Sequence, residues 1–95
     1  MSETAEQFVW VFTGPRAQFP SGVFSSRENA ESWIAVNRLS GLLTGYPLDS
    51  GAYDWAVSRG YFSAKRPDQQ SAAFIGGFTS ARMPHVHYEK GLPVT

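Results

Sequence analysis

The chain has no cysteine, which excludes disulfide staples, thiolate zinc sites and a cysteine nucleophile and is compatible with a reducing cytoplasm. It has no excess of charge either: eight Lys plus Arg stand against eight Asp plus Glu, for a formal net charge of zero. The global field that draws a protein to polynucleotide or to anionic lipid is therefore missing, and neither nucleic acid nor membrane is an expected partner. No apolar run approaches the ~18 residues that mark a bilayer span. The polar, acidic residues 1–7 are unlike a secretory leader, which starts basic and turns apolar. The expectation is a cytoplasmic protein. Nucleophile-elbow, phosphate-loop and HExxH patterns are missing as well, so the sequence marks no enzyme and implies no cofactor.

What the chain does have is apolar and aromatic material. Its 95 residues are 42% hydrophobic and 15% aromatic, Trp10, Trp33 and Trp55 included, too much for intrinsic disorder. The length fits one domain over residues 1–95, with a flexible start at 1–6. A domain this small buries only ~60% of the surface its unfolded chain exposes, so a partner that covers apolar area adds to its stability.

Residues 7–13 are β-branched and aromatic in both alternation sets, which suits a strand covered on both sides. Gly14-Pro15 breaks it, and residues 19–24 read as a second strand in a hairpin, with Pro20 at an edge or bulge. Ser25 and Glu28 form a capping-box pattern ahead of a helix. Its stripe of Ala30, Trp33, Ile34 and Asn37 faces the sheet, with Arg27, Glu28, Glu31 and Arg38 toward water and Gly41 as the stop. Residues 42–48, interrupted by Gly45 and Pro47, read as a third strand near an edge. Asp49 or Ser50 caps a second helix over 51–59, stopped by Gly60. Residues 63–72 read as a mobile surface loop. Residues 73–79 and 85–89 are the last two strands, with a bulge at Gly76-Gly77. The order ββαβαββ predicts an α+β fold: a mainly antiparallel sheet of about five strands with two helices.

His85, His87 and Glu89 alternate along one strand and so share a face, and two imidazoles with a carboxylate are a ligand set for iron or zinc. Against that reading, side chains two apart on a flat strand diverge, and a solvated face with Val86 and Tyr88 turned to the core explains them without a metal. Asp49, Asp54, His85 and His87 are acid–base candidates by type, yet a carboxylate early in a helix, as at Asp54, is favoured by the dipole alone. Phe8, Trp10, Phe12, Phe74 and Phe78 lack the basic neighbours of a base-stacking sheet and are assigned to packing. Tyr46, Tyr53, Tyr61 and Phe62, with Asp49, Asp54 and Arg59 interspersed, have the composition of a protein-binding patch. A second small core sealed by tyrosines accounts for them equally well.

The runs WVFTGPRAQFPSGVFSSRENAESWI (10–34), LSGLLTGYPLDSGAYDWAVSRGYF (39–62), FIGGFTSA (74–81) and HVHYEKG (85–91) resemble a family of small bacterial proteins of unknown function, across nearly the whole chain. The resemblance implies a stand-alone protein encoded with a polymorphic toxin, as in contact-dependent inhibition, where a small cytoplasmic immunity protein neutralises one cognate toxin. It carries over no catalytic residue.

Together these readings predict a non-enzymatic immunity protein that blocks a toxin domain by contact, through Glu28, Glu31, Tyr46, Asp49, Tyr53, Asp54 and Tyr61. A nuclease is one candidate toxin. Its inhibitors are often acidic, a pattern from which zero net charge departs, leaving a local acidic patch on Glu28, Glu31, Asp49 and Asp54 as the means. Two alternatives stay open: a metal-binding protein or metal-dependent enzyme using His85, His87 and Glu89, and a homodimeric interaction module.

Overall fold

The β-branched and aromatic run FVWVFT builds β1 (Phe8–Thr13), an interior strand of an antiparallel sheet seen in a computed structural model that describes residues 7–94. The start expected to be flexible, 1–6, lies outside the described residues. The other strands are β2 (Gly22–Phe24), β3 (Gly41–Pro47), β4 (His85–Glu89) and β5 (Leu92–Val94), in the spatial order β2-β1-β3-β4-β5. All neighbours run antiparallel. The α+β fold with a five-stranded, antiparallel sheet is therefore the one expected, although its elements differ from the expected set. The residues fall into two compact units, one of 7–48 with 83–94 and one of Asp49–Arg82.

In the first unit α1 (Arg27–Val36) covers one sheet face. Ser26 caps it rather than the expected Ser25: its hydroxyl accepts from the Asn29 amide at 3.1 Å. The helix stops at Asn37, whose side-chain amide donates to the Trp33 carbonyl. Gly41 is thus not its stop but the first residue of β3. Ala30 and Ile34 are fully buried and meet Phe12, Leu43 and Tyr88, with Trp10, Phe24, Trp33, Leu39 and Val86 packed around them. The Phe12 ring meets Trp33 edge-on at 5.7 Å between centroids, a favoured aromatic geometry. Val86 and Tyr88 face this core, as their alternation predicted.

The strand expected near an edge, β3, is the central one. Its two interruptions cost little there. Pro47 pairs with Phe8 at the end of the ladder, where a missing N–H breaks no interior bond. Gly45 donates to the Pro84 carbonyl at 2.8 Å, and its missing Cβ leaves room for Trp10 and Pro84, which a methyl would meet at 3.2 and 3.1 Å.

The two edge strands, β2 and β5, have three residues each. The expected second strand shrinks to β2, leaving Phe19 and Pro20 outside it. A two-residue turn at Lys90 and Gly91, both at positive φ (49° and 88°), joins β4 to β5, the conformation that matches strand twist in a tight hairpin.

The second unit contains α2 (Ala52–Ser58), a 3₁₀ turn at Pro67–Gln70 and α3 (Ala72–Gly76). Residues 73–79, expected as a strand with a bulge at Gly76-Gly77, are this last helix and its exit. The Ser71 hydroxyl caps it by accepting from the Phe74 amide at 3.1 Å, and Gly77 is its C-cap. Phe74, in the helix, and Phe78, just past its C-cap, both meet Tyr53 and Phe62, in a four-ring cluster with centroid separations of 5.1–6.1 Å. Neither Asp49 nor Ser50 caps α2: Gly51 holds that position without a side-chain bond. Gly60, at φ 77°, follows the helix end as expected. Within 63–72, Gln69 organises the turn by accepting from the Lys65 and Arg66 amides at 2.6 and 3.2 Å. Among the described residues no helix is long and apolar enough to cross a membrane.

Candidate functional site

Because α1 covers one sheet face, strand alternation sends the other set of side chains away from the helical core. The register places Val11 between Val23 and Thr44, Val9 beside Tyr46, Thr44 beside His85, and His87 between Leu42 and Val94. Several of these apolar groups meet solvent: Val23 is 66% exposed and Val94 47%, and Leu92, opposite Glu89, is 68% exposed. One end of this face holds a shallow groove of about 620 Å³, lined by Thr13, Pro15, Leu42, His87 and Val94 among others. A second groove of similar volume lies at the start of β1 and α1, between Phe8, Trp10, Ser26, Arg27 and Glu28.

The seven expected partner-binding residues are divided between the two units: Glu28, Glu31 and Tyr46 belong to the first, Asp49, Tyr53, Asp54 and Tyr61 to the second. Glu28 is exposed in the first turn of α1. Glu31, one turn on, is engaged within the unit: the Tyr88 hydroxyl donates to its Oε2 at 2.6 Å, and Arg27 Nε donates to the same oxygen at 3.2 Å. Tyr46 stands on the open sheet face, opposite the side covered by α1. In the second unit Asp49 is exposed at φ 61° and Asp54 is exposed on α2. Tyr53 is not a free surface group, since its ring lies in the four-ring cluster and its hydroxyl donates to the Gln69 carbonyl at 2.9 Å. Tyr61 is half-exposed, packed on Trp55 with centroids 5.4 Å apart, and carries the Arg82 guanidinium 4.4 Å above its ring. That cation–π contact was missed in the sequence, where 21 positions separate the two residues and no spacing rule links them.

The Tyr88–Glu31–Arg27 network was also missed, although the four-residue spacing of Arg27 and Glu31 on a helix signals half of it. Burial and then the bond to Glu31 push the Tyr88 phenol up from 10.0 to about 12. The Tyr88 hydrogen bond, helped by Arg27, holds the Glu31 carboxyl below its ordinary value against the opposing effect of burial. A phenol with a raised folded pKa contributes stability that is complete below pH 10 and fades as pH climbs through about 12. A carboxyl with a lowered one contributes above its unfolded value of 4.5 and loses that contribution as pH falls. Tyr88→Phe is accordingly expected to cost about 1–2 kcal/mol near neutral pH. The gap from the unsubstituted protein should narrow at both extremes, as read from urea unfolding over a pH series. A gap independent of pH would show that the bond to Glu31 carries none of it.

His85 and His87 are both exposed on β4, with ring centroids 5.8 Å apart. The His85 Nδ1 lies 2.8 Å from the Met83 carbonyl. Glu89, two residues further on, is exposed but does not complete a ligand set: among the described residues no group of three or more His, Cys, Asp or Glu is placed to hold a metal ion.

Compared with known families, residues 9–94 match the model described as "Domain of unknown function (DUF7710)". The chain belongs to the DUF7710 family. The DUF7710 match includes all of the sequence runs that carried the resemblance, and it agrees with their assignment to a family of unknown function. It spans β2 through β5 whole and β1 from its second residue, so the strands of the sheet and the four-ring cluster lie within the matched residues. No curated protein and no solved structure matches the chain.

Proposed function

We propose that this DUF7710 protein is a non-enzymatic cytoplasmic immunity protein that neutralises a cognate bacterial toxin domain by binding it. The observation that carries the reading is the sheet face left open by α1, where Val23, Leu92 and Val94 hold apolar surface in solvent among residues that alternate cleanly with the core. Apolar groups gathered on one rigid face favour a protein partner over a small substrate. An interface of standard size takes about 800 Å² from each partner, which one face of a molecule with 6660 Å² of surface can supply. Tyr46, on the same face, adds an aromatic anchor of the kind that dominates interface energetics. The class of partner comes from the resemblance to proteins encoded beside polymorphic toxins. With zero net charge, contact area and aromatic anchors rather than long-range attraction drive the association.

Co-expression with the toxin encoded beside it tests the proposal. The expected result is survival of the host and a 1:1 complex that persists through gel filtration. Val23→Asp and Val94→Asp, each placing a charge on the open face, should weaken binding at least tenfold while leaving thermal melting within a few degrees. Undiminished toxicity with no complex removes the reading, and full binding by both variants removes the sheet face as the site.

A further inference from the structure

We propose that His85 and His87 form a two-histidine chelate for a divalent transition-metal ion on the open face of the sheet. The inference is independent of the immunity reading and rests on four observations. Alternation along β4 puts both rings on one face, and β4 is paired on both sides, to β3 and β5, so the two Cα positions are fixed. The ring centroids lie 5.8 Å apart, and two imidazoles sharing one ion at ~2.0–2.1 Å from a nitrogen of each have centroids about 5–6 Å apart. The His85 Nδ1 is 2.8 Å from the Met83 carbonyl. A carbonyl only accepts, so Nδ1–H is the donor and Nε2 is the ring nitrogen left for a metal, the arrangement by which a backbone carbonyl orients a ligating histidine. Finally, the cross-strand neighbours Thr44, Leu42 and Val94 are uncharged, so none of them repels an incoming ion.

With two neutral protein ligands the remaining coordination positions belong to water or to a donor on another molecule. Imidazole pairs suit Zn²⁺, Ni²⁺ and Cu²⁺, and affinity follows the usual series, with Cu²⁺ held most tightly. These are the only two histidines and the chain has no cysteine, so no other nitrogen or sulfur side chain of the favoured types competes.

Isothermal titration of the purified chain with NiCl₂ and with CuCl₂ is expected to show one saturable ion per chain. His85→Ala and His87→Ala should each weaken it at least tenfold, because a chelate loses its second donor. Since both side chains are exposed, melting of the metal-free variants should be unchanged. In ¹H–¹⁵N spectra, paramagnetic broadening by Ni²⁺ should centre on β4 and its cross-strand partners Thr44 and Leu42. No saturable binding below about 1 mM metal, binding by either variant as tight as by the unsubstituted chain, or broadening centred elsewhere overturns the assignment.

Discussion

Phe12→Ala is expected to destabilise the protein by about 3–5 kcal/mol, the range for truncating a large buried aromatic. The ring is 2% exposed and sits where α1 meets the sheet, against Ala30, Ile34, Leu43 and Tyr88. Its loss opens a void that these neighbours, held on separate elements, fill only in part. For 95 residues the total stability is on the order of 5–14 kcal/mol, so the substitution removes about a fifth of it or more. Urea unfolding should show a much lower midpoint with an unchanged slope. The emission of Trp33, which Phe12 contacts edge-on, should report the same transition. A loss below 1 kcal/mol would mean that the core is not centred on this ring.

Gly41→Ala is expected to cost about 2–4 kcal/mol, through backbone strain and overpacking together. Gly41 opens β3 at φ 152°, and a Cβ there would lie 2.5 Å from the Thr13 carbonyl oxygen, 2.6 Å from the Phe12 ring and 3.0 Å from Gly14 Cα. Two of those three are backbone atoms of the segment that carries β1 into its turn, so relief requires the β1–β3 ladder itself to shift. Gly60→Ala supplies the contrast: its φ is 77° but nothing lies within 4 Å of the added methyl, so it should cost only about 1 kcal/mol, from φ strain alone. Thermal unfolding of the two variants side by side separates collision from strain. Equal losses would show that the contact with β1 contributes nothing.

The sheet was legible where alternation and burial agree. In β4 one residue set is apolar and bulky, and Val86 and Tyr88 went to the core as their alternation requires. By contrast β1, apolar in both sets and expected to be covered on both sides, sends Phe12 to the core and leaves Val9 and Val11 on the face that α1 does not cover. Legibility failed where a short apolar run fits two periods. Phe74, Ile75 and Phe78 are compatible with a strand, but Phe74 and Phe78 are also four apart, and Ser71, three residues before Phe74, is a helix cap. The cap and the ring cluster decided for a helix. β5 was hidden by Pro93 and by a turn that begins with Lys90 rather than the usual Asn or Asp. Of the candidate partner-binding residues, residue type alone could not show that Tyr53 spends its hydroxyl on Gln69 or Glu31 its carboxylate on Tyr88. Both bonds cross long sequence separations. The histidine pair was legible because it depends only on a two-residue repeat along a strand.

The three-residue lengths of β2 and β5 have a consequence for crowded solutions. Each rim of the sheet offers few main-chain groups to a neighbour, and at one rim Pro93 contributes no N–H at all. Growth into filaments by stacking copies rim to rim is thereby discouraged, even though the sheet carries exposed apolar residues on one face.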